Sequence, residues 1–308
     1  SSSIDAISLA ALKVAAGHSS AVLAGGVEMM SRVPLMADRA RVFADHDYGV
    51  SHQVLLMGAG ADLIAERVGA SRADCDAVAY LSHQRALRAQ REGRFTSVVP
   101  IKTRSGSVSL DECIRPSLTA ERLAAMPPAF LALGAAGSDA VQLSQYPELT
   151  KIAHVHTAGN SPAMCDAAAV LLVGSKMLAS DKGLIPKVRI VDSVTCCGEP
   201  LEVVSGCVAA TKTILSRNKL SPSDVDVFEI HEAFAATIVK LQRELEIDSA
   251  RLNVNGGCIA LGHPMGATGA IMAGTAIDEL IRCDGSIGVI AASGAAGSGS
   301  ALLVERCY

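Results

Sequence analysis

The sequence predicts an α/β fold, a mostly parallel sheet covered by helices on both faces and interrupted by an inserted, surface-lying subdomain. Three observations predict it. Short apolar runs alternate with helical patterns near the start of the chain and again after residue 167, the rhythm of strands laid under helices. The core material is small: 50% of the 308 residues are hydrophobic, yet only 3% are aromatic, with no Trp and 27 Gly. Side chains of that size suit sheets packed closely beneath helices. Between about residues 31 and 158 the rhythm gives way to polar, proline-punctuated sequence, the mark of an insertion. The length predicts about two domains.

In order along the chain, Ser1-Ser2-Ser3 offers N-cap hydroxyls. Ile4, Ile7, Ala11 and Val14 then recur at helical spacing, and Gly17 can stop that helix. Residues 21–25 read as a short buried strand. A chain that opens inside a helix cap with a strand next leads us to expect a βα segment upstream. Ser71-Arg-Ala-Asp74 forms a capping-box pattern, opening a helix to about residue 92 with Gly93 behind it. Pro100, the mixed stretch 111–116 and Pro127-Pro128 come next.

From residue 167 the α/β rhythm returns. Strands are expected at 167–173, 188–194, 225–230, 287–292 and 301–304, and helices at 209–215, 232–244 and 266–281. In such folds chemistry collects at the carboxyl ends of strands. His231 and Ser293 stand at two of them.

Bulk properties narrow the function. A net charge of −4 with no basic run argues against nucleic acid as the main partner. No stretch reaches the ~18 consecutive apolar residues of a transmembrane helix. Nine cysteines without a C-x-x-C pair suggest neither a zinc ribbon nor a disulfide framework, and read as reduced thiols in an intracellular compartment. A targeting peptide ahead of Ser1 stays open.

Three clusters carry chemistry. His231-Glu-Ala-Phe234 sits where a strand becomes a helix, so His231 either faces a cleft or merely caps that helix. Residues 253–269 hold five glycines, and His263 is fixed between Gly262 and Pro264. A phosphate loop is the competing reading there, but neither G-x-x-x-x-G-K-[ST] nor G-x-G-x-x-G is present. Catalysis explains a histidine held this way better than packing does. Ser293-Gly-Ala-Ala-Gly-Ser-Gly299 is either a small-residue turn or a loop whose N–H groups meet an oxyanion. A metal site from His231, His263 and a cysteine has the residue types but no supporting ligand spacing, and none is expected.

Taken together these clusters resemble the thiolase family along the whole chain. Gly25-Gly-Val-Glu-Met-Met-Ser31, Thr157-Ala-Gly-Asn160 with Asp166-Ala-Ala-Ala-Val170, and above all Gly262-His-Pro-Met-Gly-Ala-Thr-Gly269 resemble its motifs. His231-Glu-Ala-Phe234 is similar to the form found in thiolases of the trifunctional β-oxidation complexes. The resemblance implies two similar layered α/β/α halves with mostly parallel core sheets plus an inserted loop domain. Residues 1–31 and 158–182 would belong to the first half, 32–157 to a coenzyme A-binding loop domain, and 183–308 to the second half.

It also implies an activity: thiolytic cleavage of a 3-oxoacyl-CoA by CoA in fatty-acid β-oxidation, or the reverse condensation, through an acyl-cysteine. Coenzyme A would be a substrate, with no cofactor, in a cytoplasmic or organellar homodimer or homotetramer, with a hydratase/dehydrogenase subunit as a further candidate partner. His263 would take the nucleophile's proton, His231 would support the oxyanion, and the Ala295 N–H would form an oxyanion hole. Asp111-Glu-Cys-Ile-Arg-Pro116 and Pro128-Ala-Phe130 resemble the CoA-contacting loop. Arg115, Phe130, Phe234 and Met57 are the expected CoA-binding residues.

Two departures from the family pattern stand out. Ser1-Ser-Ser-Ile-Asp-Ala6 matches the residues that come after the family's nucleophile, so that cysteine is expected immediately ahead of Ser1. Ser293 occupies the place of the acid/base cysteine, and a hydroxyl is a far weaker acid than a thiol of about 8.5. Pro162 replaces a CoA-contacting serine. Cys258 and Cys165 read as buried small hydrophobes. A thiolase-like acyl-CoA-binding protein with little or no turnover is the alternative. A ketosynthase-type enzyme ranks below it, because the glycine-rich loop has the wrong pattern.

Overall fold

The computed structural model describes residues 2–104 and 106–308. Helix α1 (Ser2–Ala15) buries Ile4, Ile7 and Ala10, the stripe its spacing predicts. It leads into strand β1 (Ala21–Met29), four residues longer than expected. Its partner β4 (Asp166–Gly174) is antiparallel, with register running from Ala21↔Gly174 to Met29↔Asp166. A small exposed hairpin, β2 (Ile101–Thr103) and β3 (Gly106–Val108), projects from the inserted segment.

That segment is more than a surface layer. Helix α2 (Met57–Val68) buries every residue from Gly58 to Ala65. Leu63 and Ile64 are fully covered and share a cluster with Leu123, Val155, Ala235 and Ala236; each such side chain contributes roughly 1.5–3 kcal/mol of burial. Helix α3 (Arg72–Arg91) opens on the expected capping box, with the Asp74 N–H donating to Ser71 Oγ (3.1 Å) and the Ser71 N–H to Asp74 Oδ2 (2.8 Å).

The second sheet has the order β5 (Val188–Cys197), β8 (Ser298–Arg306), β7 (Ile287–Ser293), β6 (Val227–Ile230). Only β6–β7 is parallel; β7–β8 and β5–β8 are antiparallel. The expectation of mostly parallel sheets is therefore corrected among the described residues. The cause is local: four residues separate β7 from β8, too few for a crossover, so they must form a hairpin. Runs of Ala, Val and Leu buried on both faces look alike in either direction.

Alternation along β7 sorts the layers. Val289 and Ala291 face a cluster that includes Val208 and Ile214 of helix α4 (Gly206–Arg217) and Leu241 of helix α5 (Ala235–Leu245). Ile290 and Ala292 face Ile4 and Ile7 of α1 and Ala273 and Leu280 of helix α6 (Thr268–Arg282). Three polar contacts fasten α1 across the chain, one of them from Thr195 Oγ1 to Asp5 Oδ1 (3.0 Å). Ser300 Oγ donates to Asp5 Oδ1 (2.6 Å), and the Ala270 N–H donates to Ser3 Oγ (2.9 Å). Among the described residues no helix is long and apolar enough to cross a membrane.

Candidate active site

The parallel pair β6–β7 sets the site. Its register, Ile230↔Ala291, brings the carboxyl ends of both strands to one edge of the sheet, with His231 next after β6 and Ser293 ending β7. Asn253 holds β6 there: the Ile230 N–H donates to Asn253 Oδ1 (2.8 Å), and Asn253 Nδ2 donates back to the Ile230 carbonyl (2.9 Å). The helix expected from residue 232 begins instead at Ala235, so His231–Phe234 is a non-helical link. Buried Glu232 ties this link to the glycine-rich loop by accepting from Ser82 Oγ (2.7 Å) and the Ile259 N–H (3.0 Å). Burial raises its carboxyl above the usual range.

The glycine-rich loop delivers the second imidazole. Gly262 has φ +86°, and a Cβ there would lie 2.6 Å from Cys165 Sγ and 2.9 Å from Cys113 Sγ. No other residue fits that backbone and that space. The next N–H, of His263, donates to the Ala163 carbonyl (2.7 Å), and His263 Nδ1 is 2.8 Å from Thr268 Oγ1. These contacts leave Nε2 to face the site. The His231 and His263 rings lie 4.4 Å apart, tilted by 44°.

Neither imidazole is built to hold a proton. Burial lowers His263 to about 4. Burial and then the charge of His263 hold His231 well below the ordinary histidine range. His231 is 3% exposed, and neither ring nitrogen has a hydrogen-bond partner among the described residues. Two neutral imidazoles therefore stand together at neutral pH.

Ser293 is engaged otherwise. Its Oγ donates to the Val204 carbonyl (2.7 Å) and accepts from the Cys207 N–H (2.9 Å), so it fastens the first turn of α4. The turn after it places Ala295 at the surface and bends at Ala296, with φ +53°.

The expected CoA-binding residues fall into two places. The Phe130 and Phe234 rings meet edge to face at 5.7 Å, and Phe234 lies 5.4 Å from the His156 ring. Phe130 presses on Gly58, where any Cβ would collide with the ring, and Met57 packs against the same core as Phe234. Arg115 stands apart from these. Its guanidinium donates to the Ala158 carbonyl (3.3 Å), and it has no carboxylate partner among the described residues.

Three features are not foreshadowed by the sequence patterns. Cys258 is 5% exposed, as a small hydrophobe should be, but its sulfur belongs to the histidine cluster. The available signal was its place five residues before His263 in the same loop. Cys165 is only partly buried and faces Cys113 across Gly262. Fully buried Asp62 accepts from His156 Nδ1 (2.7 Å) and His154 Nδ1 (2.9 Å), a network hinted at by the His-x-His spacing.

Known proteins agree with this arrangement. The chain matches the thiolase N-terminal domain over residues 1–144 and the thiolase C-terminal domain over residues 184–306. It is 34% identical to the 3-ketoacyl-CoA thiolase of Bacillus subtilis (strain 168), over 100% of this chain and 77% of that protein. It is 36% identical to the 3-oxoadipyl-CoA/3-oxo-5,6-dehydrosuberyl-CoA thiolase of Escherichia coli K12, over 99% and 77%. The crystal structure of human mitochondrial 3-ketoacyl-CoA thiolase superposes with a TM-score of 0.84 at 27% identity, covering 99% of this chain and 77% of that one. Motifs, fold and relatives converge: the chain belongs to the thiolase family.

Proposed function

We propose that this protein is an acyl-CoA C-acyltransferase that cleaves 3-oxoacyl-CoA thiolytically, or runs the reverse condensation, through an acyl-cysteine. The observation that carries the reading is the pair of buried, neutral imidazoles at 4.4 Å, delivered by the strand end and the glycine-rich loop. The nucleophile is the cysteine expected ahead of Ser1. If His263 donates its Nδ1 proton to Thr268, its Nε2 carries the lone pair that accepts the thiol proton. The thiolate then attacks the 3-oxo carbon. The Cα–C bond breaks, the departing acetyl-CoA carbanion takes a proton, and CoA thiolysis of the acyl-enzyme completes the cycle.

His231 and the exposed Ala295 N–H are the donors available to the two oxyanions. A preorganised donor of this kind contributes about 3–4 kcal/mol. In this reading Ser293 is a weak acid/base, because its proton is already given to the Val204 carbonyl. Met57, Phe130 and Phe234 wall the pantetheine arm, and Arg115 meets a phosphate; CoA enters as substrate and no cofactor takes part. Nine free cysteines support a reducing compartment. Exposed Leu23, Val27, Val170 and Leu172 on β1 and β4 support contact with a second subunit.

A non-turnover acyl-CoA binder is disfavoured, since it has no need of two neutral imidazoles at one strand edge. The deciding measurement is steady-state thiolysis of acetoacetyl-CoA and longer 3-oxoacyl-CoA esters, with His263→Ala as comparison and circular dichroism as folding control. Near wild-type turnover in the variant ends the assignment.

A further inference from the structure

Three metal-ligand groups converge where β6 meets the glycine-rich loop. Cys258 Sγ, one ring nitrogen of His231 and one of His263 all lie within 4.8 Å of one another. In a tetrahedral zinc site with Zn–S of 2.3 Å and Zn–N of 2.0–2.1 Å, neighbouring ligand atoms sit about 3.3–3.7 Å apart. Shifts of about 1 Å or less in each side chain would close that shell.

The surroundings point the same way. His231 is 3% exposed, and neither ring nitrogen makes a close hydrogen bond among the described residues. His263 keeps Nδ1 on Thr268 Oγ1, the outer hydrogen bond that orients a metal-binding imidazole, and leaves Nε2 as the ligand. A thiol that coordinates a cation is deprotonated outright. One thiolate and two imidazoles suit zinc, with a fourth position open.

We propose that His231, Cys258 and His263 bind one Zn²⁺ ion and that its binding stops acyl transfer. On binding, the Cys258 S–H proton leaves to solvent and a Zn–S bond forms; nothing is oxidised or reduced. The inhibition rests on the reading of His263 as the base, because zinc takes the lone pair that the nucleophile's proton needs. The ion site itself does not depend on that reading. It revises the expectation of no metal, which considered spacing along the chain, whereas His231 arrives from a different strand end.

Cobalt(II) is the probe, added to the reduced, metal-free protein. One equivalent should give a thiolate-to-cobalt charge-transfer band with intense tetrahedral visible bands. Cys258→Ala should lose the charge-transfer band and bind about tenfold or more weakly. His231→Asn should keep the band with weaker binding, and Cys113→Ser/Cys165→Ser should keep the full spectrum. Circular dichroism checks each fold. No saturable spectrum in the wild type, or a full one in Cys258→Ala, overturns the site. In the activity arm, Zn²⁺ should suppress thiolysis reversibly by EDTA, about tenfold or more weakly in Cys258→Ala. A complete cobalt spectrum with undiminished thiolysis in Zn²⁺ overturns the inhibition and leaves the site standing.

Discussion

His154 and His156 share the carboxylate of Asp62 between them, whereas His231 and His263 face each other with no carboxylate between. In the first pair, Asp62 accepts from both imidazoles and from the N–H groups of Val155 and His156, while His154 Nε2 reaches Asp139 Oδ2 at 3.1 Å. Those rings are held for structure. In the second pair, burial comes without a countercharge, so the rings are neutral and free to meet a proton or a developing charge. Two histidine pairs in one chain thus differ in their carboxylate neighbours, Asp62 and Asp139, and those neighbours separate a fastening from a reactive site.

The contrast can be broken at either end. The largest effect belongs to His263→Ala, which should cut thiolysis by about 10²–10⁴-fold while leaving the far-ultraviolet dichroism unchanged. Removing the countercharge from the other pair should instead cost stability. Asp62→Ala is expected to lose about 3–5 kcal/mol in urea denaturation, because it strands buried donors. His231→Asn should cost under about 1 kcal/mol on the same measure, since its ring makes no close hydrogen bond among the described residues. Equal losses for the two would erase the distinction.

Acid should sharpen it. His263 and buried His83 are both lowered to about 4, chiefly by burial. The unfolded chain binds those protons near 6.5 and the folded chain resists them until about 4. Their stabilising contribution is therefore complete above about 6.5 and lost as pH falls towards 4, at up to about 1.4 kcal/mol per pH unit for each group. Denaturation midpoints measured across that window should fall, with a shallower slope in His263→Ala. A flat profile would mean that burial does not hold these rings neutral.

Smaller effects test the turn beside the site. Ser293→Ala should cost about 1–2 kcal/mol, by releasing the Val204 carbonyl and the Cys207 N–H. Ser293→Cys should raise condensation of acetyl-CoA about tenfold, equivalent to about 1.4 kcal/mol of barrier. A fall in condensation would instead make Ser293 a working acid/base. Ala296→Gly should stabilise by roughly 0.5–1 kcal/mol, because a left-handed backbone at φ +53° strains any side chain.

Much of this was legible in order along the chain. Periodicity placed α1, a short apolar run ending at His231 placed β6, and the Ser71–Asp74 spacing fixed the start of α3 to the residue, because each is a local rule. The strand-end position of His231 and the Gly262–Pro264 frame of His263 were readable for the same reason. Strand direction was not, since runs of Ala, Val and Leu satisfy either pairing. Nor was the company of Cys258: a sulfur's neighbours are decided by two segments folding together, and its own sequence context reads only as small and apolar. Asp62, in the middle of an apolar helix, escaped because its histidines lie more than ninety residues away.

The polar fastening of α1 has a consequence for how the chain is made. Asp5 waits for Ser300, 295 positions later, and Ser3 for Ala270, 267 positions later. Contacts of such separation close late and slowly. During synthesis at about 5–20 residues per second, α1 can settle early against Val22 and Ala24 of β1, but its contacts with α6 and β8 wait until the end of the chain has left the ribosome. Until then the side of Ile4 and Ile7 that α6 and β8 cover stays open to solvent.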